Sequence, residues 1–153
     1  FDYERNSLIA IGSLYGIDIL EDNVLECRER LLRDFVKEYQ SIFKKNVRDE
    51  FIRVIRFVLE RNIIHGDALT LQTVGQSPEP IIFSEWTAVN GTRIKRRDFA
   101  FHELLPREKE AEASLFESPR KQLKSDRGEP VFIPEPVKDF PLTHYLRIPD
   151  ADA

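Results

Sequence analysis

Asp18 and Asp67 are the residues whose type and surroundings best suit ligand chemistry. Asp18 closes the apolar run Tyr15-Gly16-Ile17-Asp18-Ile19, immediately ahead of a segment with helical period. In doubly wound sheets, ligands bind beyond the carboxyl ends of the strands. A carboxylate at that point accepts two hydrogen bonds from the vicinal hydroxyls of a ribose, and Gly16 leaves the approach uncrowded. The competing role for Asp18 is an N-terminal helix cap. Asp67 follows Gly66 at the end of the next expected strand, so it is expected beside Asp18 on the same rim. There it can accept from the exocyclic amine of an adenine while the backbone N–H of Ala68 donates to a ring nitrogen. Its competing role is a turn aspartate.

The remaining candidates are weaker. Arg93, Lys95, Arg96 and Arg97 concentrate positive charge in one short stretch, which reads either as a DNA-phosphate contact or as a solvated strand edge. His65 has no partner at ligand spacing, and with a single cysteine no metal site is expected. No Ser–His–Asp arrangement can be assembled, and Glu85 is followed by Trp86-Thr87 rather than by the Glu-x-Lys step of a nuclease. Trp86 and Phe83 read as core packing, with base stacking as the alternative.

The elements that must position these residues follow from periodicity. Residues 7–19 form a nearly continuous apolar run, read as a buried strand with its lead-in; a short helix over the first half is the other reading. From Glu21 to about Phe43, Val24, Cys27, Leu31, Phe35, Tyr39 and Ile42 recur at three- and four-residue steps, which predicts an amphipathic helix. After a break at 44–46, Phe51, Val54, Ile55, Val58 and Leu59 predict a second helix, and 63–65 a strand ending at Gly66. Strand, helices and strand in this order predict a parallel crossover unit. Residues 80–89 and 92–101 read as paired strands around an Asn90-Gly91 turn, followed by a short helical stretch at 111–116. From Ser118 onward, prolines at 119, 130, 134, 136, 141 and 149 predict an extended arm that adds little to the core.

Composition bounds the function. The chain has 153 residues, 41% hydrophobic and 33% charged, and fits one domain or a large piece of one. A net charge of −4 is unlike that of a dedicated DNA-binding domain. No apolar run is long enough to span a membrane, and the single cysteine, Cys27, fits a reducing cytoplasm. The sequence contains no methionine and begins with Phe1, so a preceding N-terminal segment is expected.

The pair Tyr15-Gly16-Ile17-Asp18 and Ile64-His65-Gly66-Asp67-Ala68-Leu69 resembles the second and third motifs of the S-adenosylmethionine-dependent methyltransferases that modify adenine N6 in DNA. In that family the strand leads into a helix of the form D-I-D-P-x-A-V-x-x-A-x-x-x-L. Asp18, Val24 and Leu31 fit it, and Cys27 takes the small position; Leu20 and Glu21 depart from its Asp and Pro. The stretch from Asn62 to about Leu105 and the segment Glu129-Pro-Val-Phe-Ile-Pro-Glu-Pro136 are similar to methylase subunits of restriction-modification systems. The family's Gly-rich first motif is not in this sequence, nor is its catalytic Asn-Pro-Pro-aromatic loop, the part that holds a flipped adenine.

The resemblance implies an α/β, Rossmann-like methyltransferase domain, partial, over 1–117, with a Pro-rich extended arm over 118–153. It implies S-adenosyl-L-methionine as cofactor, with Asp18 at the ribose, Asp67 and Ala68 at the adenine, and Gly16 beneath. It implies DNA as partner, reached through Arg93, Lys95, Arg96 and Arg97, and a second methylase or restriction subunit that supplies the catalytic loop. No membrane or metal partner is expected. A non-catalytic docking subunit on the same scaffold, or a methyltransferase acting on a small molecule or protein, are the alternatives.

Overall fold

Glu4, Leu8 and Gly12 fall at four-residue spacing, which places them on one face of a helix. Asp2–Gly12 form that helix, α1, and bury these three residues. The strand expected over 7–19 is therefore confined to β1, Gly16–Asp18, and the helical alternative holds for its first half. Helix α1 stops where Trp86 lies against Gly12: a Cβ on Gly12 would come 2.7 Å from Trp86 Cδ1. The computed structural model describes residues 2–105, 123–124, 130–131 and 134–152. The helical stretch expected at 111–116 lies outside them.

Helix α2 spans Glu21–Phe43, with Glu21 and Asp22 in the first turn against the positive end of the helix dipole. Val24, Leu32, Phe35 and Tyr39 are its buried face, while Ile42 at the end of the expected stripe is exposed. A turn of 3-10 helix at Lys44–Asn46 reverses the chain into α3, Asp49–Asn62. The entire predicted stripe of α3, Phe51, Val54, Ile55, Val58 and Leu59, is buried. At its C-terminus the Arg28 guanidinium of α2 donates to the carbonyls of Glu60 and Ile63, a cation on the negative end of the helix. Asn62, fully buried, donates from Nδ2 to Gly12 O (2.9 Å) and Ser84 O (3.0 Å) and accepts from Ser84 N–H (2.9 Å). Its amide thus ties α1, α3 and the next sheet together with no buried polar atom left over.

Strand β2, Ile63–Asp67, runs parallel to β1, with Gly16 opposite Ile63, Ile17 opposite Ile64 and Asp18 opposite His65. It carries on one residue pair beyond the expected stop at Gly66 because β3, Gln72–Thr73, turns back antiparallel to it. A second sheet is built on a hairpin of β4, Ile82–Asn90, and β5, Arg93–Ala100, around Gly91, whose φ of 49° suits glycine at the turn. A short helix α4, Phe101–Leu104, follows. Leu123–Lys124 and Pro130–Val131 pair as β6 and β7.

The C-terminal segment corrects the expectation of an arm that adds little to the core. β8, Lys138–Asp139, and β9, Thr143–His144, both pair with β5, and a 3-10 helix at Tyr145–Asp152 closes the chain. Phe140, Tyr145 and Ile148 are buried, the last two in the same core as α1, α2 and α3. Proline forbids an α-helix interior but tolerates two-residue edge strands and a 3-10 turn, where Pro149 sits. The apolar residues between the prolines supply the buried area. The molecule is a mixed α/β protein with a small parallel pair, β1 and β2, beside an antiparallel hairpin sheet.

Candidate functional site

The parallel register brings Asp18 and Asp67 to one rim. Asp18 is the last residue of β1 and faces His65, and Asp67 ends β2 two positions further on. Each carboxylate is fixed by its own turn. Asp18 Oδ1 accepts the N–H of Leu20 at 2.8 Å, and Oδ2 accepts from Asn23 Nδ2 at 3.1 Å. Asp67 Oδ1 accepts the N–H of Leu69 at 2.8 Å. Asp18 is not the N-cap of α2: that position is Leu20, with no side-chain capping bond, so the aspartate acts one step earlier as an Asx turn. A carboxylate has about four acceptor sites, so these bonds orient both groups without exhausting them.

His65 joins the two loops of the rim, its Nε2 lying 3.0 Å from Ile19 O. Ala68 is exposed in the turn after Asp67, whose Oδ1 and carbonyl bind the N–H groups of Leu69 and Leu71. Gly16 also has a packing role. Its missing Cβ would sit 3.3 Å from Ile63 Cδ1, so the glycine makes room for the neighbouring strand. Gly66 is likewise a packing residue, with Ile81 Cδ1 and Gln72 O at 2.6 and 3.0 Å from where its Cβ would be. Ile19, Leu20 and Leu69, the neighbours of the two carboxylates, are exposed to 58%, 54% and 94%. The rim therefore offers fixed acceptors flanked by bare apolar side chains.

The basic strand is divided by the period of two. Arg96 points into the core with Ile94 and Asp98, and its place among the expected DNA contacts is corrected by its burial. Its guanidinium makes two bonds to the Asp98 carboxylate, both at 2.8 Å, and lies 4.0 Å from the Phe140 ring centroid, 5.4 Å from that of Trp86 and 5.6 Å from that of Phe57. A buried, charge-paired cation in an aromatic cage cannot reach a phosphate without unfolding the sheet. Arg93, Lys95 and Arg97 share the outer face. Arg97 bridges Glu85 at 2.6 Å, Lys95 pairs with Asp139 and donates to Phe140 O, and Arg93 donates to Leu142 O. Trp86 is buried against Phe57, as its core-packing reading requires, and its Nε1 has no hydrogen-bond partner among the described residues.

Sequence reading missed a buried polar node. Glu4 accepts from the hydroxyls of Tyr39 and of Tyr145, the latter at 2.6 Å, while Arg48 Nη1 lies 3.5 Å from the carboxylate and donates to Tyr145 Oη at 3.0 Å. Burial, and then the bond to Glu4, push both tyrosine pKa values up to about 12. The node joins α1, α2, the start of α3 and the C-terminal 3-10 helix. Its only trace in the sequence is Glu4 at the spacing of Leu8 and Gly12.

Among the described residues no group of three or more His, Cys, Asp or Glu is placed to hold a metal ion, and no helix is long and apolar enough to cross a membrane. No protein-family model matches the chain, and no curated protein or solved structure is similar to it.

Proposed function

We propose that this chain is part of an S-adenosylmethionine-dependent DNA adenine-N6 methyltransferase on a Rossmann-like scaffold. One observation carries the reading: Asp18 and Asp67 end adjacent parallel strands and stand on a common rim, each locked by an Asx turn. A nucleoside ligand needs two fixed acceptors, one for vicinal hydroxyls and one for an exocyclic amine, set beside apolar surface for the ring. Ile19, Leu20 and Leu69 supply that surface. In this reading Asp18 accepts from the ribose hydroxyls, Asp67 from the adenine amine, and the Ala68 N–H donates to the ring. Preorganised carboxylates hold a ligand at lower entropic cost than free ones.

The methyl transfer itself needs groups that this sequence does not carry. A Gly-rich turn for the methionine end of the cofactor and an Asn-Pro-Pro-aromatic loop for the flipped adenine come from a second subunit or another segment. DNA contacts fall to Arg93, Lys95 and Arg97 on the outer face of β5, where Lys95 and Arg97 already have carboxylate partners. Their share of DNA affinity is correspondingly small and falls with added salt.

The test is to purify the tagged chain with its native partners and measure methyl transfer from S-adenosylmethionine into adenine-containing DNA. The wild-type assembly transfers methyl groups, the isolated chain does not, and Asp18→Ala lowers cofactor affinity by about tenfold or more, the scale of one hydrogen bond to a charged group. An assembly in which Asp18→Ala and Asp67→Ala both bind the cofactor as wild type would refute the assignment.

A further inference from the structure

A concavity lies beside Tyr15, at the other end of β1 from Asp18. It holds about 240 Å³ and is lined by Tyr15, Phe83, Ser84, Glu85, Phe99, Leu104 and Pro134. Three of its walls are aromatic. Tyr15 stands edge-on to Phe83, ring centroids 5.1 Å apart, and Phe83 in turn packs edge-on against Phe101 at 5.2 Å. The Tyr15 hydroxyl donates to Ser84 O at 3.4 Å, which ties its ring to β4. Burial raises the Tyr15 pKa, with the Glu85 charge adding to it, so the phenol stays neutral.

The polar end of the pocket is Glu85, and its state selects the ligand. Arg97 binds Oε2 through both Nε (2.8 Å) and Nη2 (2.6 Å), and no described residue holds Oε1. The carboxylate is therefore an open acceptor whose charge is already neutralised. A cationic ligand would be drawn to Glu85 but would then face the Arg97 guanidinium, losing on the second contact what it gains on the first. An anion meets only a guanidinium that is already bidentate. A neutral N–H donor meets neither objection. The aromatic walls favour a flat ring, and the volume falls short of the usual drug-sized pocket of about 300–1,000 Å³, so one small ring system fits.

We propose that this pocket binds a neutral heteroaromatic amine, its ring against Tyr15, Phe83 and Phe99 and its amine donating to Glu85 Oε1. The site is separate from the Asp18–Asp67 rim and does not rest on the methyltransferase reading. Free adenine and purine, which lacks the amine, are suitable probes, titrated into the isotope-labelled full chain and followed by NMR at the backbone amides of Tyr15, Phe83 and Glu85. Adenine is expected to bind, with purine weaker by about tenfold for the lost hydrogen bond. Leu104→Trp, which fills the pocket from its exposed rim, and Glu85→Ala are each expected to lower adenine binding by at least about tenfold, with unchanged far-ultraviolet circular dichroism. Leu25→Ala, an exposed side chain of α2 outside the pocket, is expected to leave it unchanged. Adenine-induced shifts at these amides that survive both pocket variants, or that are lost in Leu25→Ala, would overturn the proposal. So would equal binding of purine, or no binding of adenine at about 1 mM, the weakest affinity worth assigning to a built site.

Discussion

Replacing Tyr145 by Phe removes one oxygen atom and leaves the ring, which is buried and packs 5.9 Å from Phe51. That oxygen donates to Glu4 Oε2 at 2.6 Å and accepts from Arg48 Nη1 at 3.0 Å. A hydrogen bond to a charged group contributes about 1.5–3 kcal/mol. Glu4 keeps Tyr39 and Arg48, so its carboxylate is not orphaned, and a loss of about 2 kcal/mol is expected rather than the larger penalty for an unpaired buried charge. For a protein stable by about 5–15 kcal/mol this is a substantial fraction. With a urea dependence of about 2 kcal/mol per molar, the midpoint falls by about 1 M. Fluorescence of Trp86, the only tryptophan, reports the transition. Tyr39→Phe and the double variant complete the cycle; because both hydroxyls serve one carboxylate, the two losses should not add, with a coupling of about 0.5–3 kcal/mol. A change below about 0.5 kcal/mol in Tyr145→Phe, the level of an ordinary surface substitution, would refute the claim that this node fastens the C-terminal 3-10 helix to α1.

Three further outcomes follow from the same geometry. Both Tyr39 and Tyr145 titrate at about 12 in the fold, above the tyrosine value in an unfolded chain, so their contribution is intact below pH of about 10 and is lost as pH rises toward 12; the urea midpoint should decline over that window, less steeply in Tyr145→Phe. Gly66→Ala must push a Cβ against Ile81 and the Gln72 carbonyl, and should destabilise by about 1–3 kcal/mol in thermal unfolding; a neutral result would show that β2 and β3 separate readily. Lys44, with φ of 50° at the end of α2, sits where a side chain is strained, so Lys44→Gly should raise stability by up to about 1 kcal/mol in the same assay.

Much of the frame was legible because period alone marks it. The stripes of α2 and α3, the apolar Ile63-Ile64 and the Asn90-Gly91 turn each announce an element with one dominant signal. Reading failed where the signal was mixed. In α1, Leu8, Ile9 and Ile11 look like a strand because the helical face runs through Glu4 and Gly12, neither of which is apolar. The C-terminal segment looked extended because its prolines outweigh Phe140, Tyr145 and Ile148, and the last two stand three apart in a 3-10 helix, a spacing that announces no α-helical stripe. At the rim, the position of Asp18 and Asp67 followed from two strand ends, but the true neighbours of Gly16 and Gly66, Ile63 and Ile81, depend on long-range register. The burial of Arg96 was hidden for the same reason: four clustered cations carry no sign of which one Asp98 and Phe140 will enclose.

The central claim is that the Asp18–Asp67 rim receives S-adenosylmethionine. Titrating the cofactor into the isotope-labelled chain and following backbone amides by NMR detects even the weak binding expected without a Gly-rich turn, with a Kd of about 1 mM or above. Shifts should gather at Asp18, Leu20, Asn23, Asp67, Ala68 and Leu69, and should vanish in Asp18→Ala. An undisturbed rim at saturating cofactor, or shifts that persist unchanged in Asp18→Ala, would contradict it.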